Sequence, residues 1–241
     1  MFRKNSSMKI KIRQSTHQTE MNNIYESEEF SLLNDHSMHP GGLRLTDRAI
    51  RLAGLHKGMK VADIGCGAGT TAAYLTWKYG LLMTGLDISG PLICIGLSKN
   101  PGLNLIHRDG KKLPFESQSL DAALFECSLS VMGFSERLVD ECYSALSSKG
   151  KLIISDIFSR QEAQNSSLPL FTWLESRLAE AGFNIDVSED HTPALITYAA
   201  ELSEKFGGAC DASWFICNRF AGGFKISDHC YRLIIARKVE R

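Results

Sequence analysis

Apolar positions recur along this chain in two alternating rhythms. Between Leu43 and Ala53 they fall at 45, 49, 50, 52 and 53, the spacing of one helical face. The His39-Pro40-Gly41-Gly42 turn precedes that helix, Gly54 stops it, and Thr46 or the turn supplies its cap. Lys60–Ile64 is a short, mostly apolar run closed by glycines and reads as a strand. The alternation continues with a helix over 70–79, a strand over 81–88, a helix over 91–98, and strands over 103–108 and 120–127. A helix over 135–146, with Ser135 as its cap, leads through the turn Ser148-Lys149-Gly150 to a strand over 151–158. Strands alternating with helices predict βαβ units and a parallel sheet covered on both faces.

The last third is less regular. A helical stripe (Leu170, Phe171, Leu174, Leu178) runs over 168–181 and ends at Gly182. Phe183–Val187 is a sixth strand, and 192–206 is a helix with Pro193 in its first turn, where a missing N–H costs little. A short helix over 213–220 and a final strand over 229–239 complete the pattern. Residues 1–36 are polar and read as a partly ordered arm, and 37–241 as a single domain.

Composition narrows the class without naming it. The 241 residues are 44% hydrophobic and 22% charged, enough apolar material for a sizeable core. Lys+Arg and Asp+Glu are both 27, so no global basic field gathers phosphates, and nucleic-acid binding gains no support from charge. Lys111, Lys112 and the amino-terminal lysines are a weak local exception. The 7 cysteines are scattered without a CxxC pair, which fits a reducing, cytoplasmic compartment better than a disulfide framework. No stretch approaches the roughly 18 apolar residues of a membrane span, and the basic amino terminus lacks the apolar core of a secretory signal.

The chemistry concentrates in four segments. Val61-Ala62-Asp63-Ile64-Gly65-Cys66-Gly67-Ala68-Gly69-Thr70 follows a strand and opens a helix. Glycines at 65, 67 and 69 permit positive φ and close backbone approach to a nucleotide-like ligand at the helix N-terminus. The spacing is G-x-G-x-G, whereas a dinucleotide pyrophosphate favours G-x-G-x-x-G, and no Walker-type lysine follows. Asp87 closes the second strand, about 20 residues past the glycines, where a carboxylate accepts from ribose hydroxyls. Asp109-Gly110 closes the third strand, where an acid and a backbone N–H suit an adenine edge, and Leu120–Leu129 runs out at the ligand edge.

In this order and spacing the four segments resemble the class I S-adenosylmethionine-dependent methyltransferases, most of all the branch that includes the ubiquinone and menaquinone biosynthesis enzymes. The resemblance spans about residues 40–160 well and the remainder weakly. It implies an α/β, Rossmann-like, seven-stranded and mostly parallel sheet in the order 3-2-1-4-5-7-6, strand 7 antiparallel, with helices on both faces. It implies S-adenosylmethionine as cofactor and S-adenosylhomocysteine as product. It places Asp63 near the methionine amino group, Gly65, Cys66, Gly67 and Gly69 along the methionine and ribose, and Asp87 on the ribose. Ile88 then lies against adenine, Asp109 and Gly110 at its edge, and Glu126 and Cys127 beside the methionine part and the acceptor. A small-molecule acceptor is implied, covered by the arm and a variable segment at about 160–225. Where amine methylases of nucleic acids often carry [DNS]-P-P-[YF], this chain has Glu126-Cys127-Ser128-Leu129, which disfavours adenine- or cytosine-amine methylation; with the balanced charge, no nucleic-acid partner is expected.

Methyl transfer from a sulfonium needs no metal, and a general base only when the acceptor carries a proton to be lost. Glu126 and His39 are the candidate catalytic residues, and His191 a third base that also fits as the cap of the next helix. Cys127, Cys210 and Cys217 would be the thiolates of an arsenite-type acceptor site, while Cys66 suits tight packing and Trp173 and Trp214 suit core. Three other readings remain beside this one: a nicotinamide-dependent oxidoreductase, a non-catalytic module binding the same cofactor, and an RNA methyltransferase.

Overall fold

The computed structural model describes residues 38–108, 112–160, 168–205 and 226–240. The amino-terminal arm, the expected helix over 213–220, and Asp109, Gly110, Cys210, Trp214 and Cys217 lie outside the described residues.

Seven strands hydrogen-bond in the order β3-β2-β1-β4-β5-β7-β6. They are β1 (Lys60–Ile64), β2 (Leu82–Asp87), β3 (Asn104–His107), β4 (Leu120–Glu126), β5 (Leu146–Ser159), β6 (Phe183–Asp190) and β7 (His229–Lys238). The first five run parallel, and β7 is antiparallel to both β5 and β6. Among the described residues six α-helices connect or flank them: α1 (Gly42–Ala53), α2 (Thr70–Tyr79), α3 (Gly90–Lys99), α4 (Glu136–Ala145), α5 (Phe171–Ala181) and α6 (Thr192–Lys205).

The central strands are buried on both faces, which is why their sequences read as runs rather than alternations. Glu126 is the register partner of Ser155, and Phe158 lies three residues further along β5, so their side chains point to opposite faces. Glu126 accepts from Thr46 of α1, while Phe158 packs on Phe171 of α5 with ring centroids 5.5 Å apart. Helices α1 and α5 therefore cover opposite faces of the sheet.

Several boundaries differ from the sequence reading, each for a tertiary reason. Helix α1 is capped by Gly41 in the left-handed region with no side-chain bond, and Thr46 is buried inside the helix. Ser135 holds the N-cap position of α4 but makes no cap hydrogen bond. Strand β5 begins at Leu146 and not 151, because Leu146 pairs with Leu120 across a register shift. Helix α5 begins at Phe171: Leu170 is held extended, with the Ser159 N–H donating to the Pro169 carbonyl and a bridge between Ser159 and Leu170. Strand β6 runs on to Asp190 because its charged end pairs with Arg232 of β7.

Helix α3 rests directly on the glycine loop. A Cβ on Gly96 would lie 2.4 Å from the Ala68 carbonyl oxygen and 2.6 Å from Leu105. Gly96→Ala is accordingly expected to cost about 1–3 kcal/mol, read as a lower urea midpoint. A variant as stable as the parent would mean that α3 sits further from the loop.

Candidate functional site

The carboxyl ends of β2, β1 and β4 lie side by side, and the strand order reverses between β1 and β4. Open α/β sheets bind ligands at such a reversal. Here the loop from Gly65 to Gly69 leaves β1 and feeds α2. It is pinned from beneath by the Leu86 carbonyl, which accepts from the Gly65 and Cys66 N–H groups at 2.8 and 3.0 Å. Gly65 has φ 83°, and a Cβ on it would strike Ser128 at 2.4 Å. Glycine is thus required there both by backbone and by space. Cys66 is buried, packs against Gly85, and burial together with Asp63 and Asp87 pushes its thiol pKa up, so it is a packing residue and not a nucleophile.

Asp87 closes the loop from the β2 side. Its two oxygens accept from the N–H groups of Gly67 (2.7 Å) and Ser89 (2.8 Å). Each oxygen keeps a lone pair for a further donor. Ile88 beside it is 65% exposed, an apolar side chain offered to solvent at the crevice edge. Met38 and Met132 lie over the loop, their Cε atoms 3.0 and 3.2 Å from where Cβ atoms on Gly67 and Gly65 would stand. Both are unbranched thioethers able to move aside.

Asp63, at the end of β1, is 3% exposed, and its Oδ2 has no hydrogen-bond partner among the described residues. Burial first, then the negative charges of Glu126 and Asp87, raise its pKa well above the ordinary value, with His39 opposing only in part. Glu126, at the end of β4, has the opposite environment. It accepts from Thr46 Oγ1 of α1 at 2.7 Å and Thr71 Oγ1 of α2 at 2.8 Å, and pairs with His39 Nε2 at 3.1 Å. Burial would raise its pKa, but His39 and the two hydroxyls hold it below the usual range. The buried His39 also donates from Nδ1 to the Pro40 carbonyl at 3.1 Å, so both ring nitrogens act as donors and the ring fits imidazolium. Burial alone would discharge it; Glu126 outweighs that penalty, and the His39 pKa is raised.

These shifts set a pH dependence. The His39 contribution is complete below its unfolded value of 6.5 and is lost as pH rises through its higher folded value. The Glu126 contribution is present above 4.5 and is lost as pH falls through its lower folded value. Asp63, protonated more readily when folded, costs stability as pH climbs past 3.8. Thermal unfolding is therefore expected to peak in mildly acid solution and decline toward alkaline pH. His39→Gln should flatten part of that decline; an identical profile in the variant would dissociate it from this ring.

Cys127, the residue after β4, is in the left-handed region, φ 52°, with its thiol 3.8 Å from the Tyr231 hydroxyl. A non-glycine residue in that region stores backbone strain, a feature that concentrates at functional sites. Neither thiolate partner proposed for it lies among the described residues, which also contain no cluster of His, Cys, Asp or Glu able to hold a metal. His191 directly precedes α6, its carbonyl accepting from the Ala194 N–H and its ring paired with Glu189 at 2.9 Å, while the Asp190 carboxylate accepts from the Thr192 N–H. No helix among the described residues is long and apolar enough to cross a membrane.

The sequence reading missed Thr46, Thr71, Met38 and Met132. Thr46 carried a usable signal: it falls within the buried stripe of α1 (Leu45, Ala49, Ile50, Ala53), where a hydroxyl needs a partner. A cavity of about 540 Å³, lined by Phe134, Ser135, Glu136, Leu168 and Trp173, opens at the starts of α4 and α5. It belongs to the α5 side of the sheet, away from the face that carries Glu126 and α1, and is not the site of these acids.

A Rossmann-like sheet with a reversed order at β1 and β4, a glycine loop, and acids on either side form a crevice suited to a nucleotide-like ligand. Residues 62–154 match the family model for the Methyltransferase domain, and the sheet they help to build has the order β3-β2-β1-β4-β5-β7-β6. The chain is 37% identical over 82 residues to the 18S rRNA (guanine(1575)-N(7))-methyltransferase of Saccharomyces cerevisiae, covering 34% of this chain and 30% of that one. It is 27% identical over 173 residues to the ubiquinone biosynthesis O-methyltransferase of Coxiella burnetii, covering 70% and 68%. The solved complex of Haemonchus contortus phosphoethanolamine N-methyltransferase 2 with phosphomonomethylethanolamine and S-adenosylhomocysteine shares the fold. Its TM-score is 0.74 at 18% identity, over 90% of this chain and 59% of that one. The chain spans about half or less (51%, 30% and 38%) of the length of the curated relatives it matches first.

Proposed function

We propose that this chain transfers a methyl group from S-adenosylmethionine to a small-molecule acceptor by in-line displacement. The observation that carries the reading is the glycine loop bound by Asp87 at the strand-order reversal, with a buried Asp63 oxygen at the end of β1 that has no donor among the described residues. The residues fit the cofactor: Asp87 retains acceptor capacity for ribose hydroxyls, and Ile88 offers an apolar surface for adenine. Gly65, Cys66, Gly67 and Gly69 give a wall without side-chain bulk, and Asp63 accepts from an ammonium. Asp109 and Gly110 keep their adenine-edge role on sequence grounds alone. When bound, the cofactor supplies an electrophilic methyl group on a cationic sulfur.

The chain's own residues align and dry the site. Met38 and Met132 must swing off the loop to admit an adenosine, and on closing they exclude water from it. Glu126 and His39 hold each other and the start of α1 in place. With their donors and acceptors spent on one another, they act as a positioning pair more readily than as free bases. Cys127 and the residues after it line the acceptor side. The family match ends at residue 154, before α5, β6, α6 and β7, so the acceptors of the relatives do not transfer to this chain.

Methyl-labelled S-adenosylmethionine, offered with a panel of quinols, amines, thiols and arsenite, tests the reading. Label is expected to move to one of the small molecules in proportion to protein and time. Saturable S-adenosylhomocysteine binding with label transferred to none of them, nor to RNA, would favour a cofactor-binding module. Thermal stabilisation by NADH but not by S-adenosylhomocysteine would overturn the proposal.

A further inference from the structure

Among the described residues, Asp63 lies close enough to the Asp87 and Glu126 carboxylates and to the His39 ring to feel the charge of each. Asp63 comes from β1, Asp87 from β2 and Glu126 from β4, and His39 reaches in from the turn before α1; the Cys66 thiol is the other titratable group against Asp63. Their surroundings are unequal. Glu126 has two hydroxyl donors and the imidazolium, and Asp87 has two backbone N–H donors. Asp63 is as buried as His39, yet its Oδ2 has no donor among the described residues. A carboxylate removed from water, with one oxygen unsatisfied and two like charges nearby, is the group on which a shared proton rests.

We infer that Asp63 holds a proton before the cofactor binds and releases it to solvent when the cofactor's ammonium group arrives, so that binding is coupled to loss of one proton. The inference rests on the cofactor assignment above and deepens it. In the exchange the Asp63 carboxyl O–H bond breaks, the proton passes to buffer, and an ammonium N–H then donates to Oδ2. The charge balance follows. Glu126 and His39 neutralise each other, and the Asp63 carboxylate forms only when a compensating cation is beside it. The pocket therefore discriminates between ligands with and without that cation. An adenosine lacking the amino-acid tail leaves Asp63 protonated.

Calorimetric titration near pH 6.5 in buffers of different ionisation enthalpy counts the protons. S-adenosylhomocysteine is expected to release close to one proton, and 5′-methylthioadenosine, which lacks the amine, close to none. Asp63→Asn, which keeps the side-chain shape, should bind S-adenosylhomocysteine more weakly and without proton release. Release that persists in this variant would place the proton elsewhere, on His39 first, and overturn the inference. Equal release by both nucleosides would do the same. Tight binding of S-adenosylhomocysteine with no proton released would overturn the inference while leaving the methyltransferase reading intact. Binding of neither nucleoside would overturn both.

Discussion

Replacing Asp87 with alanine is expected to lower S-adenosylhomocysteine affinity by on the order of a hundredfold or more. A carboxylate hydrogen bond to a ligand hydroxyl contributes about 1.5–3 kcal/mol, and about 1.4 kcal/mol is a factor of ten in affinity; two such bonds to a ribose exceed the predicted loss. The substitution acts a second way. Asp87 also holds the N–H groups of Gly67 and Ser89, and Ser89 caps α3 by accepting from the Leu92 N–H. The loop and the start of α3 therefore loosen together. Asp87→Asn separates the two effects, because it keeps the shape and one acceptor. Titration calorimetry with a circular-dichroism check of folding reads the result, and unchanged affinity in the alanine variant would remove Asp87 from the ribose.

Glu126→Ala is expected to destabilise the fold by about 3–5 kcal/mol, the range for stripping one partner from a buried ion pair. Three donors lose their acceptor at once: Thr46 on α1, Thr71 on α2 and the His39 ring. His39 cannot readily reach water in compensation, being 3% exposed. Helix α1 would keep its other anchors, since Asp47 accepts from Tyr74 and Tyr79 and Arg48 is paired with Glu189. The loss should therefore fall chiefly on the turn before α1 and on Met38 above the loop. Urea unfolding of Glu126→Ala, His39→Gln and the double variant measures it. A coupling of about 0.5–3 kcal/mol is expected for directly contacting residues. A Glu126→Ala variant within about 0.5 kcal/mol of the parent, the range of an ordinary surface change, would mean that the pair is open in solution.

The fold was legible in large part because its signals are local. Strand β1 and helix α2 begin and end where apolar runs, glycines and periodicity place them, and the glycine loop and Asp87 lie within a short stretch of chain. The sheet order came through resemblance, and the observed order agrees with it. Where local signals competed with long-range pairing, the pairing prevailed. Leu146 joined β5 through Leu120, and Leu170 left the helix to bridge Ser159.

What the sequence by itself determined was the alternation of strands and helices, the glycine loop and the spacing of its acids, because these depend on neighbours within a turn or a strand. What only the tertiary structure decided was the chemical state of those acids. Asp63 and Glu126 are both carboxyls at strand ends, yet among the described residues one has an oxygen without a donor and the other collects three. Ionisation answers to burial, charge and donors in three dimensions. The residues that supply them, His39, Thr46 and Thr71, are brought to Glu126 by the packing of α1 and α2 on the sheet, not by their place in the chain.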